Sequence, residues 1–326
     1  MTKTLTLVPI VLLTAIALTR VAAQEGGSIV RLDPAVDDIV PRSARLEKLR
    51  DGYEAPNGPA LEGPVWVRSG GYLLFSNMPA RTIEKWTPDG QLSTYLNLAG
   101  FANSDDPAVY SAAGVTLDAE GRLLYCSEAR RAVVRVEKDG GQTIVADRYE
   151  GTRLSRPNDL TLKSNGALYF TDNPRQPPRP ELPAAVYLLK GGVLRQVATQ
   201  LTSPNGLVLS PDERSLYVND ISKRMVWRFD VNADDTLAGG RVFVDMSAAQ
   251  GTGGPDGMKV DVRGNIYDSG PGGLWILAPD GKHLGTITTP DRVSNLAFGD
   301  ADGKTLYLTM HKGLYRIRLN VEGVRP

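Results

Sequence analysis

Four oxygen-bearing side chains open similar short segments at well-separated places in this sequence. They are Glu62 before Gly-Pro-Val-Trp, Asn158 before Asp-Leu-Thr-Leu, Asn205 before Gly-Leu-Val-Leu and Asp256 before Gly-Met-Lys-Val. Two carboxylates and two carboxamides are hard oxygen ligands, which suit Ca²⁺ or a similar divalent cation. Asn-Gly and Asp-Gly are also common turn pairs, so any one of these residues alone favours a turn. Their recurrence at one repeat position favours a metal site.

The sequence lacks the residues and motifs that several other kinds of catalytic site require. His283 and His311 are the only histidines, so a zinc site with three histidine ligands cannot be built. The chain has no Gly-x-Ser-x-Gly nucleophile elbow and no glycine-rich phosphate loop. His311 follows a predicted strand and is a candidate substrate contact, with a surface or capping role as the alternative. Asp172 and Asp220 lie at equivalent strand ends, where a turn cap is favoured over catalysis.

The elements that must position these side chains repeat along the chain. Each repeat has an apolar run, a turn and a second strand rich in Leu and Tyr, at intervals of about 40 to 50 residues. The repeats open at 62–66, 113–117, 158–162, 205–209, 256–260 and 294–298. A third strand follows in every repeat and a fourth in several. This pattern predicts an all-β fold, a six-bladed β-propeller with four-stranded blades around a central channel. A two-sheet sandwich is the alternative.

In a propeller the innermost strands run along the central channel, so their first residues form a ring at one mouth. Arg156 lies two residues before Asn158 and is expected at the same mouth, where it could hold a carboxylate or a polyol; a solvated loop arginine is the alternative. The predicted ring consists of Glu62, Ala113, Asn158, Asn205, Asp256 and Ser294 or Asn295.

The charge balance and the N-terminus limit the partners and the compartment. The 326 residues carry 37 Lys and Arg against 37 Asp and Glu, so nothing favours a nucleic-acid or anionic-membrane partner.

Residues 1–23 resemble a signal peptide, with Lys3, an apolar stretch from Leu5 to Leu18, and Ala22-Ala23 before the cleavage point. An uncleaved anchor is the alternative. We expect an exported protein, periplasmic or secreted, that has no membrane partner after signal removal and is a monomer or weak oligomer.

Three further regions are predicted. Residues 24–60 form an N-terminal arm, with a candidate closing strand at 45–49, residues 61–320 form the propeller, and residues 321–326 form a C-terminal tail. Cys126 is the only cysteine, so no intramolecular disulfide can form. Its apolar surroundings predict a buried packing role rather than a reactive thiol.

The chain resembles the gluconolactonase / senescence-marker-protein (regucalcin) family, in its secreted bacterial-type branch. The motifs that carry the resemblance are Leu-Glu-Gly-Pro-Val-Trp at 61–66, Arg-Pro-Asn-Asp-Leu at 156–160, Ser-Pro-Asn-Gly-Leu at 203–207 and Pro-Asp-Gly-Met at 255–258. The resemblance runs from about Val30 to Leu319. Two departures, Ala113 where many relatives carry Asn and a Cys126-Ser127-Glu128 strand end without a nearby His, affect the expected substrate more than the metal.

The resemblance implies a metal-dependent lactonase that opens a sugar lactone. By position, Glu62, Asn205 and Asp256 would bind a divalent cation, Ca²⁺ before Zn²⁺, Mg²⁺ or Mn²⁺, with Asn158 as a further ligand or a substrate contact. Arg156 would contact the lactone, and Asp256 would also transfer a proton. Two alternatives remain open: a metal-dependent phosphoester or aryl ester hydrolase, and a non-catalytic exported propeller that binds a sugar or a protein.

Overall fold

The computed structural model describes residues 27–55, 58–101, 111–173 and 182–324. The predicted signal peptide lies outside the described residues. Short β-branched and aromatic runs, separated by turns rich in Gly and Asp, form strands throughout these ranges. Strands β1 (Ile29–Arg31) and β2 (Glu47–Arg50) precede the blades, and a short 3₁₀ helix lies between them at Pro34–Asp38.

The remaining strands form six antiparallel blades, which confirms the predicted propeller. The strands of the first three blades and a short hairpin are β3 (Leu61–Val67), β4 (Tyr72–Asn77), β5 (Thr82–Trp86), β6 (Leu92–Asn97), β7 (Val115–Leu117), β8 (Leu123–Ser127), β9 (Ala132–Val136), β10 (Gln142–Ala146), β11 (Arg148–Tyr149), β12 (Thr152–Arg153), β13 (Pro157–Leu162), β14 (Leu168–Asp172), β15 (Ala185–Lys190) and β16 (Val193–Ala198). The last three blades contain β17 (Pro204–Leu209), β18 (Ser215–Asp220), β19 (Met225–Val231), β20 (Leu237–Asp245), β21 (Met258–Val260), β22 (Ile266–Gly270), β23 (Gly273–Leu277), β24 (His283–Thr288), β25 (Val293–Gly299), β26 (Thr305–Met310) and β27 (Leu314–Arg318). A second 3₁₀ helix lies at Ala99–Phe101.

The N-terminal segment joins the last two blades. Strand β2 pairs antiparallel with β27 and becomes the fourth strand of the sixth blade, so chain segments from both ends close the ring. The candidate closing strand at 45–49 overlaps this element. Strand β1 pairs with β24 and gives the fifth blade a fifth strand, which the sequence pattern did not predict.

Apolar side chains pack between adjacent blades. The second strands of five blades place a buried tyrosine in these interfaces: Tyr125, Tyr169, Tyr217, Tyr267 and Tyr307. Several of their hydroxyl groups donate to partners in turns, as Tyr307 does to Asp300 Oδ1 at 2.8 Å and Tyr267 to Asp261 Oδ2 at 3.0 Å. Cys126 is fully buried in one such cluster, as predicted, and burial raises the pKa of its thiol. In the described ranges, no helix has the length and apolar character that crossing a membrane requires.

Candidate active site

Irregular pairing in the innermost strands aims the ring residues at the channel mouth. The register between first and second strands shifts between Pro157 and Leu160, and the equivalent shift in the fourth blade lies between Pro204 and Leu207. Similar shifts begin at Glu62 in the first blade and end at Asn295 in the sixth. Such bulges bend a strand and redirect a side chain. Asn158 and Asn205 therefore lie in bulged strand segments and not in the turns that the alternative interpretation required.

The glycine after a ring residue is required because the next blade's backbone lies against it. Gly206 N donates to Asp256 O at 2.8 Å, and a Cβ on Gly206 would lie 2.1 Å from that oxygen. A Cβ on Gly257 would lie 2.2 Å from Asn295 Cγ. Side chains cannot approach this closely without displacing the backbone. The Asn-Gly and Asp-Gly pairs thus reflect close packing between blades.

One pocket of about 450 Å³ at the channel mouth collects the predicted site residues. Glu62, Asn158, Asn205 and Asp256 line it together with Arg156. Ala113 also lines this pocket, as the ring predicts. The sixth ring position behaves differently, because the buried hydroxyl of Ser294 donates to Leu61 O at 2.6 Å and ties the last blade to the first. A further cavity of about 120 Å³ lies among Trp66, Leu209 and Phe298 and contains none of the predicted site residues.

A second polar layer lies next to Glu62. The Asn295 carboxamide donates to Glu62 Oε2 and to Asp159 Oδ2, both at 3.1 Å, and Lys259 Nζ donates to Asn295 Oδ1 at 3.3 Å. Burial and then repulsion from Asp256 and Asp159 raise the pKa of Glu62 well above its ordinary value. Burial also raises the pKa of Asp159, although Lys259 opposes that rise. The channel therefore gathers the carboxyl groups of Glu62, Asp159 and Asp256, and Lys259 offsets the charge of Asp159.

Asp256 is buried and lacks a hydrogen-bond donor for its carboxylate among the described residues. Its backbone carbonyl, by contrast, accepts from Asn219 Nδ2 at 2.6 Å, which fixes the main chain. Burial raises the pKa of the Asp256 carboxyl to about 7; the charges of Arg292 and Arg156 oppose this rise, and repulsion from Asp159 and Asp268 adds to it. A further cation in the pocket would favour the ionised form of Asp256.

The donor set fits such a cation. Within the described chain, the side chains of Asn158 and Asn205 make no hydrogen bond to protein, so both carboxamide oxygens remain available in the pocket. The same ranges contain no cluster of three or more His, Cys, Asp or Glu side chains arranged to hold a metal ion. The ligands would instead be two carboxylates and one or two carboxamides, a mixture that Ca²⁺ accepts readily.

Arg156 is held at the pocket wall by two carboxyl groups. Its Nε lies 3.2 Å from Glu128 Oε2, and its backbone N–H donates to Asp172 Oδ1 at 2.5 Å. Asp172 also accepts from Ser155 N at 2.8 Å, while the equivalent Asp220 accepts from the backbone of Thr202 and Ser203. Asp172 and Asp220 are thus the predicted caps, and they fix the loops that lead into the innermost strands.

A second ring of pocket residues follows the second strands. Met78, Glu128, Asn173, Ile221 and His311 each come directly after such a strand and line the pocket. His311 N donates to Arg292 O at 3.1 Å, as Asn173 N donates to Arg156 O. Burial, then the charge of Arg292, lowers the pKa of His311, and its buried Nε2 has no hydrogen-bond partner in the described ranges. A neutral imidazole is therefore available to a ligand.

Arg292 is a charged pocket residue that the sequence analysis missed. It lies two residues before Ser294, the same offset that separates Arg156 from Asn158. That repeat offset was the signal that could have identified it. Asp159 and Lys259 were missed for a different reason, since they come from different blades and meet the candidate ring residue Asn295 only in the folded channel.

The fold and the pocket together define the class as a six-bladed propeller with a carboxylate- and carboxamide-lined channel mouth. Residues 60–312 match the SMP-30/Gluconolactonase/LRE-like region, and the chain belongs to that family.

Three relatives illustrate the similarity. A gluconolactonase from Zymomonas mobilis is 33% identical over 97% of this chain and 96% of its own length. A 6-deoxy-6-sulfogluconolactonase from Pseudomonas putida is 33% identical over 76% of this chain and 82% of its own. The structure of a gluconolactonase from Xanthomonas campestris superposes with a TM-score of 0.77 at 32% identity, covering 89% of this chain and 94% of that one.

Proposed function

We propose that this protein is a metal-dependent sugar lactonase whose active site is the pocket at the channel mouth. The assignment to lactone-hydrolysing enzymes is supported by the family and by relatives named gluconolactonase and 6-deoxy-6-sulfogluconolactonase. One observation carries the proposed site. Glu62, Asn158, Asn205 and Asp256, which come from four different blades, line one pocket of about 450 Å³.

In this proposal Glu62, Asn205 and Asp256 hold a divalent cation, with Ca²⁺ favoured by the oxygen donors. Asn158 is a further ligand or a substrate contact. When bound, the cation would polarise the lactone carbonyl and favour the charge that develops on its oxygen. Asn295 holds Glu62 in place through its 3.1 Å hydrogen bond.

Hydrolysis adds water oxygen to the carbonyl carbon, breaks the ring C–O bond and transfers a proton to the released ring oxygen. Asp256 is the candidate proton acceptor for the attacking water, since burial raises the pKa of this carboxyl to about 7. A carboxylate that binds a cation is a weaker base, so Asp256 as ligand and Asp256 as base are competing roles. His311, also in the pocket with a free Nε2, can accept a hydrogen bond from a sugar hydroxyl.

Arg156 would orient the sugar. Its ion pair with Glu128 fixes one edge of the guanidinium, and the remaining N–H groups can donate to lactone oxygens. A positioned donor of this kind contributes mainly to substrate binding and orientation.

The test uses purified Asp256→Asn protein and a panel of aldonolactones. We expect turnover to be abolished, while Asp245→Asn, a variant of an exposed aspartate outside the pocket, hydrolyses at the wild-type rate. Retained activity of Asp256→Asn on every lactone that the wild type cleaves would rule out the assigned role. Aryl esters and phosphoesters assayed in parallel distinguish a lactonase from the alternative hydrolases, and wild-type protein that turns over none of these substrates indicates a binding propeller.

We also propose that the protein is exported to the periplasm or the medium. The support is the basic, apolar and small-residue order of residues 1–23. Fractionation of cells that express the full chain, with N-terminal sequencing of the product, tests this. An uncleaved cytoplasmic chain would contradict it.

A further inference from the structure

A shallow recess of about 260 Å³ opens beside the pocket. Ile221, Ser222 and Arg292 line both spaces, so the recess directly adjoins the pocket. Arg224 and the Gly253-Gly254 segment complete the recess. Because Gly254 lies two residues before Asp256, the recess adjoins the carboxylate part of the pocket.

The two arginines lie over the same glycine segment. A Cβ built on Gly253 would contact Arg292 Cγ at 3.6 Å, and one built on Gly254 would contact Arg224 Nε at 3.9 Å. Arg224 donates to Gly253 O at 2.8 Å and more weakly to the carbonyls of Ala249 and Gly251. These bonds hold its side chain against the recess wall.

Neither guanidinium forms an ion pair within 4.0 Å in the described part of the chain, although Arg292 is close enough to Asp256 to lower the pKa of that carboxyl. Arg156 is paired with Glu128, and Arg241 on the outer strand β20 is paired with Asp230, but no ion pair among the described residues involves Arg224 or Arg292. The carboxyl group next to Arg292 in sequence, Asp291, accepts from the backbone N–H of Arg292 through Oδ1 at 2.8 Å. Backbone carbonyls satisfy hydrogen bonds but leave the positive charge of Arg224 uncompensated.

We propose that Arg224 and Arg292 form an anion subsite, which binds a carboxylate, sulfonate or phosphate carried outside the lactone ring of the substrate. Guanidinium groups match the planar geometry of such oxyanions, and Ser222 can add a hydroxyl donor. The ring would lie at the Glu62 and Asp256 end of the pocket, and the anionic substituent would extend into the recess. This inference rests on the proposed lactonase function and narrows its substrates to anionic sugar lactones.

The experiment compares kcat/KM for neutral and anionic lactones matched in ring form. The pairs are D-glucono-1,5-lactone against its 6-phosphate and its 6-deoxy-6-sulfonate, and D-glucono-1,4-lactone against D-glucaro-1,4-lactone. We expect the wild type to prefer at least one anionic partner about tenfold or more, the size of a charge-assisted hydrogen bond. The partner with the largest ratio identifies which oxyanion the subsite takes.

Arg224→Gln and Arg292→Gln should each reduce the anionic-to-neutral ratio about tenfold. The ratio is the readout because Arg292 also lies near Asp256, so its loss affects both substrates. Arg224→Lys keeps the positive charge and should retain most of the preference for anionic lactones. This variant distinguishes recognition of the anion by charge from support of the glycine segment by the hydrogen bonds of the guanidinium. Arg241→Gln, with an exposed side chain outside the recess, is the matched control and should leave the ratio unchanged.

Equal kcat/KM for anionic and neutral lactones in the wild type, or ratios unchanged in both glutamine variants, would overturn the subsite and leave the lactonase function standing. Failure to hydrolyse any lactone would instead refute the function. In that case calorimetric titration with gluconate, 6-phosphogluconate, 6-deoxy-6-sulfogluconate and glucarate still decides the subsite. About tenfold tighter binding of one acid that carries a second anionic group, lost in Arg224→Gln, supports the subsite, and equal affinities for all four acids overturn it.

Discussion

A buried aspartate between the third and fourth blades allows a quantitative prediction about stability. Asp235, in the turn between β19 and β20, is 0% exposed and accepts hydrogen bonds from Lys163 Nζ at 2.6 Å, Asn165 Nδ2 at 2.9 Å and Lys190 Nζ. Burial alone would raise the pKa of Asp235, but these three donors outweigh it and lower the pKa from 3.8 to about 2. At about 1.36 kcal/mol per pKa unit, the difference corresponds to roughly 2 kcal/mol in favour of the folded state.

Asp235→Asn removes this charge and leaves two ammonium groups unpaired. We expect the free energy of unfolding to fall by about 2 to 4 kcal/mol and Tm by about 5 to 10 °C at neutral pH. Asparagine tolerates the φ of 67° at this position, so the change tests the charge rather than the backbone. The matched control is Asp234→Asn, because Asp234 is the exposed neighbour in the same turn.

The pH dependence has a defined sign. The folded-state pKa is depressed, so the stabilisation is fully present above the ordinary value of 3.8 and is lost as the pH falls through about 2. Urea unfolding should therefore show a large gap between wild type and Asp235→Asn at neutral pH and a smaller gap at a pH of about 2.5. A variant as stable as wild type, or a gap of equal size at both pH values, would refute this reasoning.

Three further predictions concern the pocket and its supports. Glu128→Gln releases one edge of Arg156 and should raise KM for the lactone about 3- to 10-fold with a smaller change in kcat; an effect on kcat alone would contradict this role. His311→Gln removes a buried imidazole whose pKa is lowered in the folded state. Because the unfolded chain then binds a proton more readily, the wild type should lose thermal stability relative to the variant as the pH falls below 6.5. Parallel curves of Tm against pH for the two proteins would contradict this prediction. Gly206→Ala forces a Cβ against Asp256 O and should cost about 3 kcal/mol in urea unfolding, whereas Gly100→Ala, in open space, should be nearly neutral; equal effects would refute the packing argument.

Most of the pocket residues that could be predicted from the sequence were predicted from their equivalent positions in the repeats. Glu62, Asn158, Asn205 and Asp256 were found together because equivalent positions of a propeller converge on its axis, and His311 was a candidate because it follows a second strand. The same logic applied to the residue two places before each ring member would have found Arg292 as it found Arg156.

Contacts without a repeat signal could not be predicted. Strand β1 adds to β24 through backbone hydrogen bonds that leave little trace in three residues of sequence. The link from Lys259 through Asn295 to Glu62 depends on side chains of three blades meeting inside the channel. Ser294 was a candidate ring member, and only the structure distinguishes its role between blades from that of Asn295 in the channel.

We have proposed that Glu62, Asn205 and Asp256 at the channel mouth hold a catalytic divalent cation. The most direct test is the rate of D-glucono-1,5-lactone hydrolysis, or of the preferred lactone, by protein stripped of metal and then titrated with Ca²⁺, Mg²⁺, Mn²⁺ and Zn²⁺, with metal content measured at each point. We predict that stripped protein is inactive, that one cation restores the rate, and that Glu62→Gln shifts the half-saturating concentration upward about tenfold or more. Metal-free protein that hydrolyses the lactone at the full rate would contradict the claim.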